Sequence, residues 1–517
     1  MVDEVTTNAL RWTVEQAQEW YKKQGWRQGV NYIPSTCVNS IDMWQGTLDQ
    51  EQIQKELTWA ANLGYNALRV FLHDLVWHVE GPDPFFTKID QFLTLADSFH
   101  MQTMLVIFEG IWDPDPKYDA VTAASKGETV LSGKGQDGTT IKPSQQLSPR
   151  PFVHNSRWVQ SPGRDILLNE TMHELYLKPY VQSIIRRFGN DSRVLMLDLF
   201  DQPENGNDYS YGNLGDRVPS CEDAKNKEMH PLTKADIIRD LIPNLFQWAR
   251  EVGPIQVPVT IAAWTTIDDP DDRLEASMLQ YQLRKYYLQE SDILTFHHYQ
   301  SPNDLLKVLT DIQLDHPGRP VVLSSFMARE SNSTLNPILG LLEERNVWAM
   351  NWGLVSGKIQ TIYNATSWNV PFTSPPQLWH HDILWPNGSA YSSSEQNYLQ
   401  SHYETTQLYH RSWKPSFLTC CKVSVSWSWD SVLPYFAGLF LLIAFGLLSF
   451  HYGNPLRTVQ RQFAPVQQRE NEEDQYSDDH IINDDVDEEP HLNGEQSDND
   501  IDDFMNGHIE LSKFSID

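Results

Sequence analysis

The chain has 517 residues, 40% of them apolar, with 18 Trp, 20 Tyr and 21 Phe, enough for one large packed domain or roughly two to three average ones. Its net charge of −30 excludes the basic patch that a nucleic-acid partner requires. The four cysteines, Cys37, Cys221, Cys420 and Cys421, are too few for a disulfide scaffold and lack zinc-site spacing, so neither a metal nor a cofactor is expected.

After a lead of residues 1–17, short apolar runs alternate with amphipathic segments, the pattern of a parallel α/β fold. The first strand is expected near GVNYIPS (29–35). The helix after it, EQIQKELTWAANLG, sets Ile53, Leu57, Ala60 and Ala61 on one face and stops at Gly64. NALRVFLHD is the second strand, FFTKIDQFLTLADSF its helix, and MQTMLVIFEG the third strand, followed by a long loop to about residue 171. ELYLKPYVQSIIRRFG then reads as a helix and VLMLDLF as the fourth strand. VPVTIAAW, DILTFHHY, RPVVLSS and VWAMNW complete the strands, with helices near 235–252, 274–289, 302–314 and 334–345.

Eight such units predict a (βα)8 TIM barrel over residues 18–412, with its site at the C-terminal ends of the strands. A doubly wound open sheet is the alternative, weakened because no Gly-rich phosphate loop follows the first strand. Cys37 and Cys221 both fall on loops after strands, where they either pair or remain two thiols.

Beyond a juxtamembrane stretch, 413–430, residues 432–450 (VLPYFAGLFLLIAFGLLSF) run 19 residues without a charge. That is long enough for a transmembrane helix, expected over 431–451. Arg457 and Arg461 follow it, against Lys422 and Asp430 before it, so the positive-inside bias puts the tail in the cytosol and the barrel outside or in a lumen. Five sequons, at Asn169, Asn190, Asn332, Asn364 and Asn387, all precede the apolar run and agree with that orientation as glycosylation sites. The first twenty residues contain no apolar leader core. The preferred reading is a longer natural N-terminus; the alternative reverses the orientation. From residue 453 the chain carries 18 acidic and 4 basic residues. This composition predicts a disordered acidic tail over 452–517, with Ser477 and Ser497 available for regulated sorting and trafficking proteins as its partners.

The predicted strand ends gather Asn31, Arg69, His73, Glu109, Trp112, Asp201, Gln202, Glu204, Trp264, His297, Tyr299, Ser325, Asn351 and Trp352. Hydrogen-bonding groups beside tryptophans suit a saccharide, whose pyranose faces stack on flat rings, although any one of these side chains could serve packing alone.

WYKKQGWRQGVNYIPS, ELTWAANLGYNALRVFLHD, FEGIWDPDPK, VHNSRWVQSPG, LDLFDQPEN, RPVVLSSFMAR and NWGLVSGKIQT resemble the cellulase-like barrels of glycoside hydrolase family 5. The resemblance implies a retaining β-glycosidase site: an acid/base Glu in Asn-Glu-Pro after the fourth strand and a nucleophilic Glu after the seventh, their carboxyls about 5 to 5.5 Å apart. Position by position, the Asn falls on Asp201, the acid/base on Gln202 and the nucleophile on Ser325, and no Asp or Glu occurs between Asp315 and Glu330. A Gln amide has no titratable proton to give, and a Ser needs a base before it can attack.

Arg69, His297, Tyr299 and Trp352 keep the residue types that the resemblance assigns to positioning sugar and nucleophile. The expectation is therefore a membrane-anchored barrel that binds a β-linked saccharide or glycan without hydrolysing it, with Asn31, Arg69, His73, Trp112, Asp201, Trp264, His297, Tyr299 and Trp352 as its substrate-binding groups. One alternative is an active β-glycosidase with relocated carboxylates, Glu204 or Glu109. Another is a protein-binding or trafficking receptor scaffold.

Overall fold

The computed structural model describes residues 11–119, 146–205, 234–264 and 275–412. The expected membrane span and acidic tail, together with Cys221, Cys420 and Cys421, lie outside the described residues. Among the described residues no helix is long and apolar enough to cross a membrane.

Eight strands form the centre: β1 (Gln28–Asn31), β2 (Ala67–Phe71), β3 (Gln102–Val106), β4 (Val194–Asp201), β5 (Val259–Trp264), β6 (Leu294–His297), β7 (Val321–Phe326) and β8 (Trp348–Trp352). Each pairs in parallel with its sequence neighbour, and β1 also pairs with β8, so the barrel closes and the open-sheet alternative is excluded. Nearly every strand residue is buried. This accounts for the continuous apolar runs, because a parallel sheet covered by helices has no solvent face to supply a polar alternation.

The helices follow their periodicity, with instructive departures. Helix Gln50–Asn62, capped by Asp49, buries Ile53, Leu57 and Ala60. The expected Ala61 is only half-buried, and Glu56 is turned inward instead. Its carboxylate accepts from the Tyr32 hydroxyl at 2.8 Å and the Ser35 amide at 3.1 Å, which satisfies the charge inside.

The single helix expected over 235–252 is two helices, Lys234–Ile238 and Leu241–Glu251. Pro243 lacks the N–H for a bond to residue 239, and its ring would strike that carbonyl. The helix expected from Glu174 opens with a π-turn, His173–Leu177, before the α-helix Lys178–Phe188. A C-terminal helix, Ser393–Ser412, has no counterpart in the sequence reading.

Trp44, Trp158, Trp248, Trp348 and Trp379 are fully buried, so much of the aromatic content fills the core. Cys37 is a buried free thiol. Register shifts fall between Asp198 and Asp201 on β4, before His297 on β6, and between Leu323 and Phe326 on β7. Irregularities of this kind re-aim side chains, and these lie where the strands open into the mouth of the barrel.

Candidate functional site

Arg69, at the middle of β2, is fully buried. One guanidinium nitrogen, Nη2, reaches Asp201 Oδ1 at 2.6 Å and also pairs with Asp198, while Nη1 donates to Asn31 Oδ1 at 2.9 Å. From β6, His297 Nε2 reaches the same Asp201 oxygen at 2.6 Å. Burial opposes the charge on Asp201, but Arg69 and His297 outweigh it and hold the carboxyl far below its ordinary range. Burial and the Asp201 carboxylate push Asp198 up to about 7 despite its contact with Arg69. Two strands, β2 and β6, thus anchor one carboxylate.

Gln202 follows with φ at +40°, in the left-handed region. Its amide nitrogen lies 3.4 Å from Asp201 Oδ2 and 3.5 Å from Glu109 Oε1, and its amide oxygen accepts from Asn205 Nδ2 at 2.9 Å. The turn requires a glycine on the facing loop: a Cβ on Gly110 would stand 2.2 Å from the Gln202 carbonyl oxygen. Lys234, buried at the start of its helix, donates to the carbonyls of Gly110 and Asn205 and ties the two loops together.

Glu109 is brought beside Asp201 by a backbone bridge between the two residues. Its Oε1 also accepts from the Ile111 amide at 3.1 Å. Burial and then the Asp201 carboxylate push its pKa well above the usual carboxyl range.

Across the barrel, the Ser325 hydroxyl is hydrogen-bonded to the Tyr299 hydroxyl. Asn31 Nδ2 donates to the Ser324 carbonyl at 2.9 Å and lies 3.5 Å from Ser325 Oγ. The half-buried Trp264 packs its ring 6.0 Å from His297 and 5.9 Å from Tyr299. Trp352 touches Phe71, Trp158 and His381, and Trp112 touches His154 and Trp368.

The structure therefore brings Asn31, Arg69, Glu109, Asp201, Gln202, His297, Tyr299 and Ser325 into one connected network, with Trp264 and Trp352 on its flanks. Two named residues are engaged elsewhere. His73 caps the helix Asp74–Glu80, its Nδ1 accepting from the Leu75 amide at 3.2 Å. Glu204 is buried beneath β5, accepting from the Trp264 amide at 3.2 Å and from the Tyr287 hydroxyl, with Arg284 at 3.8 Å. Its side chain therefore points into the helix layer.

Sequence reasoning missed Asp198, Lys234 and the imidazole group His154, His380 and His381. The three rings lie 3.9 to 5.7 Å apart, and His381 also faces Tyr299. Asp198 carried a legible signal, an acid inside a buried strand; the histidines come from two distant loops and carried none. Among the described residues no group of His, Cys, Asp and Glu could hold a metal ion. Asn169, Asn190, Asn332 and Asn387 are exposed, while Asn364 is half-buried and gives its amide nitrogen to Glu330.

No family model matches the chain, and no curated protein matches it. Solved structures similar to it include a GH5_18 variant from Streptomyces cattleya in complex with Manβ1-4GlcNAc, at 11% identity and TM-score 0.42, covering 75% of this chain and 82% of that one. An endo-1,4-β-mannanase from Rhizomucor miehei is similar at 12% identity and TM-score 0.43, over 74% of this chain and 95% of its own. An endo-1,4-β-D-mannanase from Thermotoga petrophila is similar at 13% identity and TM-score 0.42, over 74% and 99%.

Proposed function

We propose that the barrel binds a β-linked saccharide at its C-terminal mouth without hydrolysing it. The observation that carries this reading is the pair of residues at the C-terminal ends of β4 and β7. Gln202 and Ser325 occupy them, and both are hydrogen-bonded to neighbours of the site, Gln202 to Asn205 and Ser325 to Tyr299. A retaining glycosidase needs two carboxyls there. The surrounding Arg69–Asp201–His297 frame and the tryptophans at the rim support retention of binding. The apolar run at 432–450 supports a single-pass anchor with the barrel extracellular or lumenal, the sequons as glycosylation sites and the acidic tail cytoplasmic, reached by trafficking proteins.

A panel of aryl β-glycosides and β-glucans tests the reading. The expected result is no turnover by the native barrel and measurable turnover by the double variant Gln202→Glu, Ser325→Glu. Native turnover would sink the non-hydrolytic reading. Glycan binding that is absent, or indifferent to Trp352→Ala, would instead favour a protein-binding scaffold.

One observation favours a second reading, an active glycosidase with a relocated acid: the Glu109 carboxyl, its pKa raised by burial and the Asp201 carboxylate, lies beside Gln202. Turnover that disappears in Glu109→Gln would establish it.

A further inference from the structure

The loop after β8 returns on itself at Trp385–Pro386–Asn387–Gly388–Ser389. The Trp385 amide donates to the Ser389 carbonyl and the Gly388 amide to the Trp385 carbonyl, each at 2.8 Å, and Leu384 bridges Ala390 just outside. Gly388 takes φ +84°, and a Cβ there would stand 2.3 Å from the Trp59 ring. The turn is therefore tight and seated on Trp59, with Trp385 and Ser389 opposite each other. Asn387, exposed at its tip, is the asparagine of an Asn-Gly-Ser sequon. Its Oδ1 accepts from the Ser389 amide at 3.0 Å and from the Ser389 hydroxyl at 2.7 Å. Both bonds draw the side chain back toward the Trp385–Ser389 pair, and among the described residues Nδ2 has no partner.

Of the described tryptophans, Trp385 alone is exposed, at 42%. A single exposed ring needs no function by itself, but two features set this one apart. It is braced: it meets the buried Trp379 edge-on at 4.5 Å, and Trp379 stacks on Tyr391. It also stands two residues before a sequon asparagine. The residues two before the other sequons are Leu167, Phe188, Glu330 and Ile362, and none presents an exposed ring, Phe188 being fully buried.

We propose that Asn387 carries an N-linked glycan whose first N-acetylglucosamine lies on the Trp385 indole, so that sugar and ring close the turn together. This inference goes beyond saccharide binding at the mouth and rests on the extracellular or lumenal reading of the barrel. Attachment forms a bond from Nδ2 to C1 of the sugar and breaks the bond from C1 to the pyrophosphate of a lipid-linked oligosaccharide, the donor used by the transferase of the secretory pathway. Nδ2 gives up one proton as the pyrophosphate leaves and keeps the other. The β-linked sugar carries axial C–H groups at C1, C3 and C5 on one face, and the negative face of the indole attracts them. Because the turn is formed and the ring braced beforehand, the contact costs little ordering.

The test produces the full chain behind a secretion signal in a eukaryotic cell and reads each sequon by glycopeptide mass spectrometry. Release of each glycan by peptide N-glycosidase is then timed on the folded protein. Asn387 is expected to be occupied, with release about three- to tenfold slower than in Trp385→Leu, the effect of one aromatic contact. Trp385→Phe, which keeps a ring, is expected to stay closer to native. Release at Asn169 and Asn190 is the folding control and is expected to be unchanged in both variants. Thermal unfolding reads the same coupling: Asn387→Gln is expected to lower the midpoint by about 1–2 °C in the native background and not at all in Trp385→Leu.

Glycans on other sequons with Asn387 bare would overturn the proposal, and so would release at Asn387 indifferent to Trp385→Leu. The native protein decides even where a variant folds poorly: release at Asn387 is expected to be slower than at Asn190 in the folded protein and to match it after denaturation. Equal rates in the folded protein would overturn the proposal. If no sequon is occupied, the extracellular or lumenal reading fails and this inference with it; in the other cases only this inference fails.

Discussion

Arg69 and Asp201 meet at 2.6 Å with neither side chain exposed to solvent. Asp198 shares the same guanidinium nitrogen, so one cation is matched against two buried carboxyls. Breaking such a pair leaves buried charge without compensation. Arg69→Met is expected to cost about 3–5 kcal/mol of stability, measured by urea unfolding. Combining it with Asp198→Asn and Asp201→Asn is expected to recover part of that loss; a full loss in the triple variant would show that packing, and not charge, is what Arg69 supplies.

Gly110→Ala tests the close approach of the two loops. Its Cβ would meet a backbone oxygen at 2.2 Å, which cannot swing aside as the end of a flexible side chain could. Overpacking of this kind costs about 1–3 kcal/mol. The variant is expected to lose saccharide affinity as well, because Gln202 and Glu109 are held by the same loop pair. A melting temperature unchanged from the native barrel would contradict the packing seen here.

Glu204→Gln should separate stability from binding. The carboxyl belongs to the wall between β5 and helix Glu275–Glu290, with the Trp264 amide and Tyr287 hydroxyl as donors. A cost of about 1–2 kcal/mol is expected from weakening those bonds, with ligand affinity within about twofold of native. Lost binding at unchanged stability would place Glu204 in the cleft after all.

His154 makes the fold sensitive to acid. Burial and the neighbouring His380 hold its pKa down at about 3, against the raising effect of the Tyr363 carbonyl and Glu330. The native ring stays neutral, while the unfolded chain takes up a proton below its ordinary value near ~6.5. The stability contributed by the neutral ring is therefore complete above that value and is lost as pH falls toward the native pKa, with a slope of up to about 1.4 kcal/mol per pH unit. His154→Phe is expected to lower stability near neutrality, because the Tyr363 carbonyl loses its donor at 2.8 Å. It should also flatten the decline between about pH 6 and 4. Thermal unfolding across that range checks both effects; an unaltered slope would show that the acid response comes from other groups, of which His381 is the nearest, its pKa also lowered by burial.

Much of the barrel was legible because its information is local. Each strand is a short apolar run covered on both faces, each helix carries one apolar stripe, and their alternation leaves few topologies. Misreadings were local in origin too. Pro243 inside an apolar pattern divides one helix into two, and Glu56 on a helix face is buried because Tyr32 and Ser35 supply its hydrogen bonds.

That Gln202 and Ser325, and not carboxyls, stand at the ends of β4 and β7 is a matter of residue identity and could be read from the chain alone. So could the approximate place of each strand end and the absence of an acid near Ser325. What the chain could not say is where each remaining carboxyl points. Glu204 and Glu109 were equal candidates on paper. Tyr287, on a helix far along the sequence, and the Trp264 amide draw one of them into the wall, whereas a loop bridge to Asp201 holds the other beside Gln202. Side-chain direction at a strand end depends on register shifts and on partners that arrive from other strands and loops. Ionisation depends on the burial and charges those partners bring. Neither is encoded within a few residues of the group itself, so only the closed barrel decided that Glu109, and not Glu204, stands beside Gln202.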